Sequence, residues 1–383
     1  MKVKLFVVLA VFLISLSVKS GLAIPFDSTV SGQELPSLRP PCGVVQGTGA
    51  ITMTMDNGAS LLPTSENLRG IGYTYGLTAL RTPGTLLAVH NATILRSTNN
   101  GCSWASIGDV DTSLGDYFPL KLVAGAGDRA FGWSENRTFL IRIDGDRFTY
   151  LKAPVEGIIG IGTDPDNADH VRIGDSSGIL ESFDGGDNWQ LIALLPKKDG
   201  AVFPYRVAFA PENLNHIFVG TVVKGAFVTT DGGRNWQQAT GFNGKDKPAN
   251  VFEFAISPVN DNIVWAMGIN LTEANQGTPS GGRHIYLSAN GGQTFYPVID
   301  HSANVTIRNQ PAMAAHPTNP GILYFVFGTY YQDYGTDVFR YNLRDQSLTK
   351  THNSYDGIDS ITFSRKDPSI MYFGLEVVEP VGP

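Results

Sequence analysis

The amino-acid sequence predicts an all-β fold, a seven-bladed β-propeller, on three observations. An octet built as hydroxyl, any residue, acid or amide, turn residue, glycine, two more and an aromatic recurs along the chain. A second, independent turn marker recurs at a similar spacing, with most steps at 46 to 48 residues. Between the markers lie short alternating apolar runs bounded by turn signals, with no helical period.

The octets read STNNGCSW from residue 97, SFDGGDNW from 182, TTDGGRNW from 229 and SANGGQTF from 288, with a weaker copy, TMDNGASL from 54, that has Leu61 in place of the aromatic. In chain order their starts lie 43, 85, 47 and 59 residues apart, so the step of 85 spans two units, one without the octet. The second marker reads IGTDPDNADHVRIG from 161, AFAPENLNHIFVG from 208, AISPVNDNIVWAMG from 255, AAHPTNPGILYFVFG from 314 and TFSRKDPSIMYFG from 362. Each copy is a strand, a turn and a second strand ending at glycine. From Pro165 through Pro211, Pro258 and Pro317 to Arg365 the steps are 46, 47, 59 and 48. A repeat of this length with four short runs is the signature of a propeller blade. Blades are expected at about 68–109, 115–153, 155–197, 203–244, 249–300 and 307–352. Residues 357–378 supply two strands of a seventh, and residues 49–63 supply the missing pair. The N-terminal segment thereby closes the ring and removes the open edges of a linear array.

Residues 1–23 read as a secretory signal peptide, with Lys2 and Lys4 ahead of an apolar run from Leu5 to Val18 and a small-residue exit at Ala23. A secreted protein with no membrane span is the expectation. Residues 24–41 form a proline- and serine-rich tail, and residues 42–383 a single propeller. Charged residues are 16% of the chain, and loss of Lys2, Lys4 and Lys19 takes the formal net charge from −7 to −10, which excludes a basic nucleic-acid binder. Cys42 and Cys102 are expected to form a disulfide, worth about 4 kcal/mol on the chain-entropy model; two free thiols are the alternative. In this arrangement the bridge would staple the ring closure. Asn91, Asn136, Asn270 and Asn304 stand in sequons that would carry glycans in a eukaryotic secretory pathway.

The octet acid suggests a binding site, yet its recurrence argues for a turn. Asp or Asn accepts backbone N–H bonds there, glycine supplies positive φ, and the aromatic packs beneath. The octets resemble the Asp-box, or BNR repeat, of sialidases, sortilin-type receptors, xyloglucan hydrolases and photosystem assembly factors. That resemblance implies a propeller whose boxes lie on the face opposite the ligand site, and it implies no particular reaction. The chain departs from the members with known chemistry. It has no Arg-Ile-Pro of the sialidases, no second propeller of the xyloglucan hydrolases and no cysteine-rich module of the sortilin type.

Metal and nucleophile signatures are thin. The seven histidines show no His-x-His or His-Glu-x-x-His spacing, and no Gly-x-Ser-x-Gly elbow occurs. DPDNADH at 164–170 has a calcium-loop flavour but coincides with the repeated strand turn. No metal and no cofactor are expected. Aligning the blades by the turn marker puts Tyr205 and Arg206, Phe252 and Glu253, and Asp359 and Ser360 at matching positions on the face away from the octets. Gln310 falls just ahead of the equivalent point, and the sixth blade adds Tyr330, Tyr331, Asp333 and Tyr334. Residues 269–284 form the longest insertion, a candidate lid.

Arg206, Glu253 and Asp359 are therefore the candidate catalytic groups, and Tyr205, Phe252, Gln310, Tyr330, Tyr331, Asp333 and Tyr334 the candidate ligand-binding ones. An acid or arginine there could move protons or hold a carbonyl, and the aromatics could stack on a flat ligand. An inter-blade ion pair is the competing reading of Arg206 and Glu253. In layout the chain also resembles the secreted fungal propeller hetero-Diels–Alderases of tropolonic sesquiterpene biosynthesis, which implies a dehydrating cyclase acting on a small, largely apolar ligand. A non-catalytic protein- or glycan-binding propeller is the alternative, and a glycoside hydrolase using Glu253, Asp333 or Asp359 a further one. If Arg206 serves a ligand, Arg206→Ala should abolish binding without shifting the melting temperature.

Overall fold

Short runs of Val, Ile, Phe and Tyr cut by Gly, Asn and Asp turns make sheets too small to bury their own apolar faces, so the repeats must stack. The structure, a computed structural model, describes residues 51–58, 62–63, 72–74, 76–111, 120–134, 139–196, 203–242, 248–278, 281–300, 305, 307, 309, 311–328, 336–353 and 357–377. They form seven antiparallel blades. Blade 1 holds strands Gly76–Ala79, Leu86–His90, Thr93–Ser97 and Ala105–Asp109. Blade 2 holds Lys121–Ala124, Arg129–Trp133, Leu140–Asp144 and Arg147–Tyr150, and blade 3 holds Gly160–Thr163, Val171–Gly174, Gly178–Ser182 and Gln190–Leu194. Blade 4 runs Pro204–Ala210, Asn213–Thr221, Ala226–Thr229 and Gln237–Gln238, and blade 5 Ala249–Ile256, Val264–Asn270, Arg283–Ser288 and Tyr296–Ile299. Blade 6 is Met313–Ala315, Ile322–Gly328, Thr336–Asn342 and Ser347–Asn353.

Blade 7 closes the ring as the sequence predicts. Gly357–Phe363 and Met371–Val377 come from the C-terminal end, Ile51–Thr54 and Leu62–Pro63 from the N-terminal end. Ile51 faces Gly374 and Thr54 faces Met371 across that seam. The short strand Gly72–Tyr73 also pairs with Met371–Val377. Tyrosines fix the blades on either side. Tyr372 donates its hydroxyl to the Asn100 carbonyl of blade 1 at 2.8 Å, and Tyr324 of blade 6 donates to Asn57 Oδ1 at 2.6 Å.

The core lies between blades rather than within them. Phe131 and Leu140 of blade 2 pack on Ile161 and Ile173 of blade 3, and Ile179 and Ala193 of blade 3 on Val207 and Val219 of blade 4. Trp265 and Met267 of blade 5 meet Phe325 and Phe339 of blade 6, and Ile51 and Tyr372 of blade 7 meet Leu77 and Leu86 of blade 1.

The octet is a rigid turn between third and fourth strands. In the copy at 229–236, the Thr229 hydroxyl donates to Asp231 Oδ1 at 2.7 Å and accepts the Gly233 N–H at 3.1 Å, while Asp231 accepts the Asn235 N–H at 2.9 Å. Ser97, Ser182, Ser288 and Thr54 make the same pair of bonds in their own copies. Positions four and five are both left-handed, for instance Gly232 at φ +76° and Gly233 at +95°, which explains why only Gly or Asn stands at the first and only Gly at the second. A Cβ on Gly233 would also lie 2.5 Å from the Ala193 Cβ of blade 3, so each octet is an inter-blade contact as well. Cys102 stands in the blade 1 octet; its expected partner Cys42 lies outside the described residues.

The DPDNADH segment is a turn of the same structural kind. Asp164 accepts the N–H groups of Asp166 and Asn167 and meets His170 Nδ1 at 2.7 Å. Among the described residues no group of three His, Cys, Asp or Glu side chains could hold a metal ion. No helix of the described residues is long and apolar enough to cross a membrane.

Hydrogen bonds from Asn188 to Asp184, and from Asn235 to Asp231, hold both carboxyls at about 2. A carboxyl depressed in the folded state stabilises it above its unfolded value and loses that contribution as pH falls toward the folded one. The window is therefore from about 4 down to about 2. Asp184→Asn with Asp231→Asn should lower neutral-pH stability, because the Asn188 and Asn235 side-chain amides each lose the carboxylate oxygen they donate to, while the turn itself persists as it does around Asn99 and Asn290. The double change should also flatten part of the acid loss. Urea unfolding from pH 6 to pH 2 reads the difference, and an unchanged acid limb would contradict the assignment.

Candidate functional site

The face away from the octets is built from the starts of the first strands and the loops between second and third strands. There the ladder slips by one residue at equivalent places in three blades. The register shifts between Pro204 and Arg206, between Val251 and Glu253, and between Ile358 and Ser360. The extra residues are Tyr205, Phe252 and Asp359, the positions that the turn marker aligned. A bulge re-aims side chains and increases local twist, and bulges collect beside functional sites. Sequence alignment found the positions; the backbone irregularity that makes them special has no composition signal.

Two of the three bulges lie side by side. The Tyr205 and Phe252 rings stand 4.5 Å apart, tilted by 54°, with Phe252 buried and Tyr205 38% exposed. Beneath them the Arg206 guanidinium donates to the Glu253 carboxylate, and Glu253 Oε1 also accepts the Phe254 N–H at 3.1 Å. The Arg206 and Glu253 side chains are 6% and 19% exposed. Such a pair is committed to joining blades 4 and 5. Asp359 lies in blade 7, where its neighbour Ser360 donates to the Thr74 carbonyl at 3.0 Å and ties the closing seam. Gln310, Tyr330, Tyr331, Asp333 and Tyr334 lie outside the described residues, as do Asn136 and Asn304.

A feature that the sequence did not single out borders the aromatic pair. Val223 has φ +70°, a backbone state that a β-branched residue rarely enters. Lys224 N–H donates to the Val222 carbonyl at 2.8 Å, closing a tight γ-turn over it. Blade 5 holds that strain in place, because Val223 N–H donates to Asn250 Oδ1 at 2.8 Å and its carbonyl accepts the Ala249 N–H at 3.0 Å. Val222 N–H donates to the Phe203 carbonyl at 2.9 Å. Phe203, Val223 and Tyr205 thus form an exposed apolar patch on a fixed backbone, with Phe203 64% and Val223 44% accessible.

The expected lid is in part a short helix, Leu271–Asn275. Asn270 caps it, accepting the Thr272 and Glu273 N–H groups through Oδ1, and its amide nitrogen donates to Glu273 Oε1 at 2.7 Å. Glu273 in turn meets His284 Nε2 at 2.7 Å, which anchors the insertion to the third strand of blade 5. The Asn270 sequon therefore has its amide engaged in the cap, whereas Asn91 is exposed at a left-handed turn position, φ +54°.

No family model matches the chain. A search of curated proteins finds the dispase autolysis-inducing protein of Streptomyces mobaraensis, 42% identical over 362 residues and covering 94% of each chain. The chain belongs to the family of that protein. Similar solved structures share the fold at much lower identity. A GH74 enzyme of Niastella koreensis matches with a TM-score of 0.58 at 15% identity, covering 80% of this chain and 52% of its own, so this chain spans about half that enzyme. YCF48 bound to a D1 peptide matches with a TM-score of 0.53 at 11% identity, over 81% of this chain and 94% of its own. These two likenesses bear on the propeller alone; the family membership rests on the end-to-end relative.

Proposed function

We propose that this chain is a protein-binding propeller directed at an extracellular protease, whose self-cleavage it provokes. The observation that carries the reading is the end-to-end relationship to a protein named for inducing autolysis of dispase. The mouth of the propeller is in keeping with it. Arg206 and Glu253 neutralise one another rather than standing ready for proton transfer, and the apolar patch of Phe203, Tyr205 and Val223 is exposed. Exposed aromatics on a rigid backbone are what protein recognition uses, because little side-chain entropy is lost on binding. The cyclase reading would need a group at this mouth free to act on a ligand, and Arg206 and Glu253 are engaged with each other.

Secretion by way of residues 1–23, a Cys42–Cys102 bridge and glycans on the sequons belong to the same proposal. Intact mass of the secreted chain tests all three, through cleavage near Ala23, the hydrogens lost on oxidation and any added hexose. For the function itself, purified mature chain is mixed with dispase and intact protease is followed by electrophoresis and fragment mass. The expected result is a loss of intact dispase several-fold faster than in dispase alone, with this chain surviving. An unchanged rate would remove the proposal.

A further inference from the structure

The first strands of the seven blades touch one another in a closed ring around the axis. The turns that follow them lie on the octet face, since Asn100 N–H of the blade 1 octet donates to the Gly84 carbonyl and Gly185 N–H of the blade 3 octet to the Asp169 carbonyl. One hydrogen bond marks the equivalent residue in these turns. Leu80 N–H donates to the Thr85 carbonyl in blade 1, Asp164 to His170 in blade 3, Ser257 to Ile263 in blade 5, His316 to Ile322 in blade 6 and Ser364 to Ile370 in blade 7. The residue that follows is Pro165, Pro258 and Pro317 in blades 3, 5 and 6, and the turn marker puts Pro211 there in blade 4. In blades 7 and 1 it is arginine, Arg365 and Arg81. These two blades are neighbours, joined just ahead of the arginines where Ala79 N–H donates to Thr362 Oγ1 at 3.3 Å.

The two arginines outnumber the acid they share. Arg81 reaches across the ring to blade 4, where its Nη2 donates to Glu212 Oε1 at 3.2 Å. Its Nε–H is buried and has no hydrogen-bond partner among the described residues. Arg365 likewise has no hydrogen-bond partner among the described residues. It reaches water, yet the protein around it and then the Arg81 charge hold its guanidinium below the ordinary arginine value, against the pull of Glu212. Two guanidiniums therefore stand with one carboxylate, and one positive charge is left over at the axis. Charge on the low-dielectric wall of a confined opening focuses its field and draws a counter-ion.

We propose that Arg81 and Arg365 form an anion site on the octet face of the axis, and that its ligand is a small carboxylic acid in its ionised form. The inference goes beyond the protease-directed reading and does not depend on it. Charge decides the class of ligand. One bound carboxylate leaves two cations facing two anions, counting Glu212, whereas a phosphate dianion would add a surplus of negative charge beside Glu212. Shape agrees, because the planar fork of a guanidinium matches the two oxygens of a carboxylate. Arg365 offers a whole fork, and Arg81 offers the Nε–H that Glu212 does not use. The prolines at the equivalent turns of blades 3 to 6 carry no donor, so the site belongs to the junction of blades 7 and 1.

Acetate titrated into the isotope-labelled mature chain at fixed ionic strength tests the site through the arginine Nε–H resonances. Those of Arg81 and Arg365 are expected to shift and saturate, with chloride and phosphate competing less well than acetate. Arg365→Pro gives blade 7 the residue that stands at the equivalent turn of blades 3 to 6, so the turn and the melting temperature should persist. Acetate binding should weaken by about tenfold or more, the loss of one charge-assisted partner. Arg365→Gln removes the same charge without altering the backbone and should weaken it alike. Glu212→Gln should act in the opposite direction and tighten acetate by releasing Arg81, which an ion pair that merely braces the ring would not do. Shifts that grow without saturating, unaltered acetate affinity in both Arg365 variants, or weaker binding in Glu212→Gln would each overturn the proposal. Tighter binding of phosphate than of acetate would overturn the carboxylate class.

Discussion

Arg206→Ala is expected to lower the unfolding free energy by about 3–5 kcal/mol, the penalty for stranding one partner of a buried ion pair. The guanidinium and the Glu253 carboxylate are 6% and 19% exposed, so water cannot replace the lost partner fully. Glu253→Ala should fall in the same range, and the two losses should not add, because the second removes a group already orphaned. Arg206→Met with Glu253→Leu is expected to recover most of the stability, since neither charge is then left buried. Urea unfolding of the two single variants and this double variant measures the coupling directly. Melting that is unchanged in Arg206→Ala would return the residue to the ligand-binding role that its sequence position suggested. The structure contains the inter-blade ion pair that is the competing reading of these two residues. Alignment by repeat shows that Arg206 and Glu253 hold equivalent positions 47 residues apart, but only the ring geometry shows that equivalent positions of adjacent blades face each other.

The fold was legible because its signals are repeated. One Ser-x-Asp-x-Gly turn means little, whereas five octets and five strand turns at a common spacing leave a propeller as the economical reading. Closure was legible from the weakest octet, and the pairing of Ile51–Thr54 with Met371–Val377 places it where the residue count did. The site was harder to read. Val223 is β-branched, a type that favours strands, so its γ-turn contradicts its own propensity and is set by Ala249 and Asn250 of the next blade. Leu191 and Leu194 look like core residues in sequence, and their exposure follows from standing on the outermost strand with a register slip. Asn270 reads equally as a sequon and as a helix cap, and the engagement of its amide by Glu273 is a tertiary fact. In each case a local pattern admits two readings, and a neighbouring strand or blade decides between them.

Gly160→Ala is expected to destabilise the ring by about 3 kcal/mol, the upper range for overpacking, although its backbone is unstrained. A Cβ at Gly160 would lie 1.8 Å from the Val207 carbonyl oxygen, a backbone atom that cannot rotate aside. Blades 3 and 4 approach this closely because Val207 N–H donates to the Ile159 carbonyl at 3.2 Å, joining their first strands near the axis. Gly174, paired with Gly160 across the ladder, meets Val207 differently, since its Cβ would strike the valine side chain at 2.5 to 2.6 Å. The two substitutions should therefore couple differently to Val207→Gly. That change removes what Gly174→Ala hits, so those two should show a favourable coupling of about 1 kcal/mol or more. It leaves the carbonyl that Gly160→Ala hits, so that pair should be additive. Gly157→Ala, with nothing within 4 Å of its Cβ position, serves as the neutral control. Equal coupling in both cycles would mean that the blades separate rather than collide, and the close approach of the first strands would then be elastic instead of a fixed dimension of the ring.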